Sequence, residues 1–92
     1  MTRKTREREA LEKLSDLTQK VFKIIGVKGT QGFVGLTFSE IVDELLRKGI
    51  AYCNDDFING LTELERQNFV EQKSVSKGMI FQLTDKGDKA FF

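Results

Sequence analysis

Thr37-Phe38-Ser39-Glu40 marks the start of a helix in four residues. A threonine hydroxyl at the N-cap can accept from the amide three residues on, and a glutamate there can reach back to the N-cap amide. Leu36 before the cap and Ile41 at the fourth helical position complete a hydrophobic staple. Ile41, Val42, Leu45 and Leu46 then give one apolar face, and Gly49 supplies the left-handed residue that stops a helix. A helix is expected over 38–48. What lies on either side of it decides the fold.

Upstream, Ala10, Leu14, Leu17, Val21 and Ile24 recur at helical spacing, with Leu11, Thr18, Phe22 and Ile25 alongside. Glu9 and Lys13, then Asp16 and Lys20, sit one turn apart in the favourable order. The pattern predicts one helix over 10–27, preceded by a basic polar extension over 1–9. Its apolar stripe is wider than one helix in a small core needs. The excess points to a homodimer through Leu14, Leu17 and Val21, joined by Phe91 and Phe92; packing within one core is the alternative. Gly26, Gly29, Gly32 and Gly35 follow. Gly26-Val27-Lys28-Gly29 fits the GxxG that clamps a nucleic-acid backbone in KH domains. More glycine follows it, where a KH loop would run into a helix, which favours a connector ending in a short strand, Phe33 to Leu36.

Downstream, Asn54 or Asp55 caps a helix over 55–67 whose core face is Phe57, Leu61 and Leu64, flanked by Ile58. Asp55, Asn59, Thr62, Glu63 and Arg66 fall on the opposite face at about 100° per residue. Gly60, mid-helix, suggests that something packs close, and Asn68 ends the helix in the left-handed conformation. Phe69 to Val75 and Met79 to Leu83 form a hairpin over 69–83, turning at Ser76-Lys77-Gly78. Thr84-Asp85 opens a short helix ending in Phe91-Phe92. The chain over 1–92 therefore reads as one mainly α, α+β domain, in the order helix, short strand, helix, helix, strand, strand, short helix.

Composition limits the chemistry. The chain has 92 residues, 39% hydrophobic and 32% charged, an ordinary globular balance. No apolar run approaches the ~20 residues of a membrane span, and the first residues carry no apolar stretch of the secretory kind. There is no histidine, which removes the common zinc sites and imidazole catalysis. The single cysteine, Cys53, excludes an intrachain disulfide framework. It is expected to be a buried apolar thiol rather than an exposed one able to form an intermolecular disulfide. Glu40, Asp43 and Glu44 share a helix but read as cap and solvent-facing charge, with no convergent nucleophile. A cytoplasmic binding module is expected, not an enzyme, with no cofactor, metal or membrane partner.

Charge is unevenly spread. Residues 1–28 carry eight basic and four acidic side chains, residues 37–72 three basic and eight acidic, and residues 73–92 four basic and two acidic. A chain basic at both ends and acidic in the middle can orient on a polyanion, or dock head to tail with a second copy. The bland alternative is an unevenly charged solvated surface.

Leu64-Glu65-Arg66-Gln67-Asn68-Phe69-Val70, then the hairpin, then Phe81-Gln82-Leu83-Thr84-Asp85-Lys86-Gly87, resembles the end of a winged helix-turn-helix domain. It is similar to the MarR- and PadR-like bacterial and archaeal regulators, over about residues 33–90. In those, a leucine–acidic pair closes the recognition helix, and the second wing strand ends in Leu-Thr-x-x-Gly. The resemblance implies that the helix over 55–67 enters the major groove and the wing touches the DNA backbone. Asp55, Asn59, Thr62, Glu63 and Arg66 would face bases, with Asn59 suited to adenine, Glu63 to cytosine and Arg66 to guanine or a phosphate. Lys73 and Lys77 would be wing contacts, and Arg3, Lys4, Arg6 and Arg8 would lie on phosphates or in a minor groove. Related regulators often continue into a dimerisation helix beyond the wing; here dimerisation is expected through helix one and the Phe91-Phe92 end instead.

These features predict sequence-specific binding of double-stranded DNA by a small homodimeric transcriptional regulator. One departure from the family pattern points elsewhere. The presumed reading face sets Asp55, Asp56 and Glu63 against Arg66 alone, and an acidic helix repels phosphate. The alternative is a winged-helix protein–protein interaction module that uses the acidic middle. A basic stripe running over arm, helix and wing would favour DNA; an acidic helix isolated from the basic ends would favour protein.

Overall fold

The structure, a computed structural model, describes residues 6–91. The elements are α1 (Arg6–Glu12), α2 (Asp16–Thr30), α3 (Phe38–Arg47), α4 (Asn54–Arg66), β1 (Val70–Val75), β2 (Gly78–Leu83) and α5 (Asp85–Phe91). Helices dominate, and β1 and β2 form a two-stranded antiparallel hairpin, so the α+β class read from the pattern holds. No helix among the described residues is long and apolar enough to cross a membrane.

The single helix expected over 10–27 is two helices. The chain bends at residues 13–15, where Ser15 caps α2 by accepting from the Thr18 amide at 3.2 Å. Gln19 Nε2 donates back to the carbonyls of Leu14 at 2.8 Å and Glu12 at 3.3 Å, near the open end of α1. Since α1 begins at Arg6, residues 6–9 of the expected polar extension are helical. At its other end α2 continues through Gly26 and Gly29 to Thr30, so the GxxG stretch is helix and not connector. Gly26 is required there because the Phe91 ring occupies the space a Cβ would need. The expected strand over 33–36 reduces to one bridge: Leu36 N donates to Phe81 O at 3.0 Å and Phe81 N to Leu36 O at 2.7 Å. Phe33 and Val34, just before it, are exposed.

The capping box is present. Glu40 N donates to Thr37 Oγ1 at 3.2 Å, and Thr37 N donates to Glu40 Oε1 at 2.8 Å. Gly49 and Asn68 take the positive φ expected of them, 69° and 63°. At α4 the expected cap is corrected. Cys53, not Asn54 or Asp55, is the N-cap residue, with no side-chain cap bond, and its thiol is exposed rather than buried. Thr37→Ala should lower stability by about 1 kcal/mol, because the Glu40 amide loses its acceptor; a urea midpoint equal to wild type would refute this.

The core collects Phe22, Phe57 and Phe69 with Val21, Ile41, Leu45 and Leu64, each at most 2% exposed. Phe22 meets Phe69 and Phe91 edge-on, at centroid distances of 5.9 and 6.2 Å. α2 runs through the middle and packs against α3, α4, β2 and α5 at once. That accounts for its wide apolar stripe without a second copy. Val21 is wholly enclosed and cannot form an interface, while Leu14, Leu17 and Phe91 are half-buried against their own core. Phe92, the last residue of the expected interface, lies outside the described residues.

Candidate functional site

α4 turns Phe57, Leu61 and Leu64 into the core. It comes so close to α2 that a Cβ on Gly60 would lie 2.6 Å from Thr18 Oγ1, the close approach its glycine suggested. On the far side, Asp55, Asn59, Thr62 and Arg66 are exposed along one stripe. Asp56 and the half-buried Glu63 flank that stripe and border a shallow groove of about 450 Å³ beside Leu17. The structure thus brings together the five residues picked on this helix.

Their polar groups are largely engaged within the face. Thr62 Oγ1 donates to the Ile58 carbonyl at 2.9 Å. Arg66 Nη2 lies 2.9 Å from Glu63 Oε2, and Gln67 Nε2 donates to Glu63 Oε1 at 2.8 Å. The Gln67 hydrogen bond, and then Arg66, hold the Glu63 carboxyl below the usual glutamate value. Glu63 therefore stays ionised and balances the single cation of the face.

The hairpin lies beside α4, with Gln72 Nε2 donating to Glu65 Oε1 at 2.8 Å. Lys73 is exposed on β1. Lys77, at the hairpin tip, has a carboxylate partner. Its Nζ sits 3.1 Å from Glu40 Oε1, so the hairpin tip is tied to the first turn of α3. The Thr37 amide is the main cause that lowers the Glu40 pKa, and Lys77 adds to it. Sequence reasoning assigned Glu40 to the cap alone; no local signal marks a partner 37 residues away. Lys86 donates to the Gln67 carbonyl at 2.8 Å and lies 4.8 Å above the centre of the Phe69 ring.

The described part of the basic arm lies in α1, which packs against α5. Arg6 and Arg8 belong to α1, and Arg8 borders a groove with Lys20, Lys23 and Phe91. Arg3 and Lys4 lie outside the described residues. What accompanies α4 is apolar surface: Phe38, Ile58 and Met79 are 42%, 49% and 48% exposed. The Phe38 ring lies 4.8 Å from that of Phe57, the residue before Ile58. Met79 pairs with Ser74 on the hairpin face that carries Gln72 and Phe81. Sequence periodicity could not mark these three, because each belongs to an apolar pattern that mostly enters the core. A larger groove lies elsewhere, about 760 Å³ between the end of α2, Phe33, Val34 and the start of α5, with mixed charge around it. No protein-family model matches the chain, and no curated protein matches it in sequence.

Proposed function

We propose that the chain is a winged-helix binding module whose α4 and hairpin take a basic amphipathic segment of a partner protein. One observation carries this reading. Arg66 on α4 and Lys77 at the hairpin tip, two of the cations assigned to DNA contact, are paired with Glu63 and Glu40. Asp55 remains exposed on α4 about 60° around the helix from exposed Ile58, with exposed Phe38 on α3 packed on Phe57, and Asp56 is exposed farther round the same helix. Apolar anchors rimmed by carboxylates complement a helix with one apolar face and lysines or arginines beside it. The same field opposes a phosphate backbone. The winged-helix assignment is supported by the order of α3, α4 and the hairpin, by the Leu36–Phe81 bridge, and by the Leu83-Thr84-Asp85-Lys86-Gly87 element.

A second reading, sequence-specific binding of double-stranded DNA by a regulator, is favoured by exposed Lys73 on the hairpin and Asn59 on α4. Fluorescence anisotropy separates the two. At about 50 mM salt a labelled lysine-rich amphipathic peptide should bind, and Asp55→Asn with Asp56→Asn should weaken it about tenfold. A labelled duplex should stay unbound, both to wild type and to Glu63→Gln. The DNA reading takes over if wild type binds duplex with log affinity falling against log salt at about −0.9 per phosphate. In that case Lys73→Ala would flatten the slope and Asn59→Ala would relax sequence preference.

A further inference from the structure

β1 has a strand on one side only. β2 pairs with it there, and among the described residues no strand lies against its outer edge. The bridge to Leu36 fixes which backbone groups point outward. Phe81 N and O both bond Leu36, so they point away from β1, and Phe81 with Gln72 opposite is a non-hydrogen-bonded pair of the hairpin. The N–H and C=O of Gln72 therefore point out from the free edge, as do those of Ser74 two residues on. Glu71 and Lys73 turn theirs inward, to Gln82 and Ile80. Residues 71–74 are all exposed, and among the described residues no turn, loop or cap bond takes the Gln72 or Ser74 main chain. Such an edge accepts a further strand.

Charge selects the strand. When two copies of β1 cross antiparallel about a two-fold axis, outward-pointing residues must oppose each other, so the axis passes through a residue and not between two. Through Glu71 it would set glutamate on glutamate, and through Lys73 lysine on lysine. Through Ser74 it would leave Lys73 against Val75. Through Gln72 it sets Glu71 of each copy against Lys73 of the other. We infer that two copies of this chain pair through the outer edges of β1, antiparallel about Gln72. The two Gln72 residues exchange both main-chain bonds, and each Glu71–Lys73 pair falls at a non-hydrogen-bonded position, where facing side chains come closest. Both side chains are available for it. Gln82 Nε2 donates to Glu71 Oε1 at 2.8 Å, which leaves Oε2, and no ion pair among the described residues holds Lys73. Val70 is buried and closes the edge at one end, so the shared ladder is short and the two charge pairs set its register. The dimer is closed and isologous. Gln72 Nε2 reaches Glu65, which places α4 on the Gln72 face of the hairpin, and an axis normal to the sheet brings both α4 helices to that face. On the reading of α4 as a docking face, the dimer then offers a partner two sites instead of one.

Sedimentation equilibrium and amide exchange of the full chain test this. At about 50 mM salt and up to about 1 mM protein, the weight-average mass should rise from 10.5 kDa toward twice that and no further. The Gln72 amide should gain protection as concentration rises, while the Glu71 amide, already bonded inside the hairpin, should not change. Glu71→Lys and Lys73→Glu should each weaken association about tenfold or more by setting like charges opposite. Both changes in one chain should restore it. So should an equal mixture of the two single variants, because each charge again meets its opposite. Gln72→Pro should abolish association with an unchanged far-ultraviolet spectrum, since the lost N–H serves no bond of the hairpin. A wild type that stays monomeric at about 1 mM overturns the inference. So does a mass that passes the dimer, or a Gln72 amide that exchanges alike at all concentrations. Single variants that associate like wild type, or that recover in neither combination, place the contact elsewhere and overturn it too. Peptide binding by a monomeric wild type sinks the β1 pairing and leaves the binding-module reading intact; a dimer that takes no peptide does the reverse.

Discussion

Phe57→Ala is expected to lower stability by about 3–5 kcal/mol. Phe57 has no exposed surface, and its ring lies 4.8 Å from Phe38 and 5.6 Å from Tyr52. Truncation leaves a void where α3 and α4 meet, lined on one side by rings that are themselves part-exposed. A domain of this size holds roughly 5–14 kcal/mol in total, so about a fifth or more of it is at stake. Urea denaturation with an unchanged slope measures the loss. Asn59→Ala, two residues along on the outer face, should stay within about 0.5 kcal/mol of wild type. The reverse ranking would mean that α4 is rotated about its axis.

Gly87→Ala should cost about 1–3 kcal/mol, although alanine ordinarily gains about 1 kcal/mol over glycine inside a helix. A methyl group on Gly87 would land on the carbonyl oxygen of Phe69. That oxygen already accepts from the Thr84 amide at 3.1 Å. Phe69 cannot retreat, because its amide bonds Leu64 O at 2.9 Å and its ring packs on Phe22. α5 would have to lift away and expose Phe91. Hydrogen exchange should report the loss first in α5, ahead of α3 and α4. A stabilised Gly87→Ala protein would show that α5 docks in some other way.

The parts of the fold legible in the sequence are those written in local chemistry. Thr37 and Glu40 announce a helix because both partners of the box lie within four residues. Gly49 and Asn68 announce ends because few other residues take a positive φ readily. The bend before α2 was readable too, since Ser15 followed by Asp16 is an N-cap with a first-turn acid. The apolar spacing from Ala10 to Ile24 ran across it unbroken and hid it. Gly26 and Gly29 misled in the other direction. Glycine usually breaks a helix, but at Gly26 the missing side chain makes room for Phe91, 65 positions along the chain.

The candidate site was legible as a face and illegible as a set of charges. Periodicity alone places Asp55, Asn59, Thr62 and Arg66 together. Whether those charges remain available depends on pairings that spacing cannot rank. The i,i+3 contact of Arg66 with Glu63 is local, and it competes with any outside partner for the same guanidinium. The Lys77–Glu40 contact is wholly tertiary, and it occupies at the hairpin tip one of the cations that the family resemblance assigned to DNA contact.

The two hydrogen bonds between Leu36 and Phe81 also bear on how the chain reaches this state. They close a loop over residues 37–80 that holds α3, α4 and most of the hairpin. Joining its ends costs about 3 kcal/mol of chain entropy on the logarithmic scaling with loop length. Helices and the hairpin form from near neighbours in microseconds or less. The bridge becomes affordable only after α3 and α4 have packed and brought its ends together. It is therefore expected to form late, and weakening it should speed unfolding far more than it slows folding.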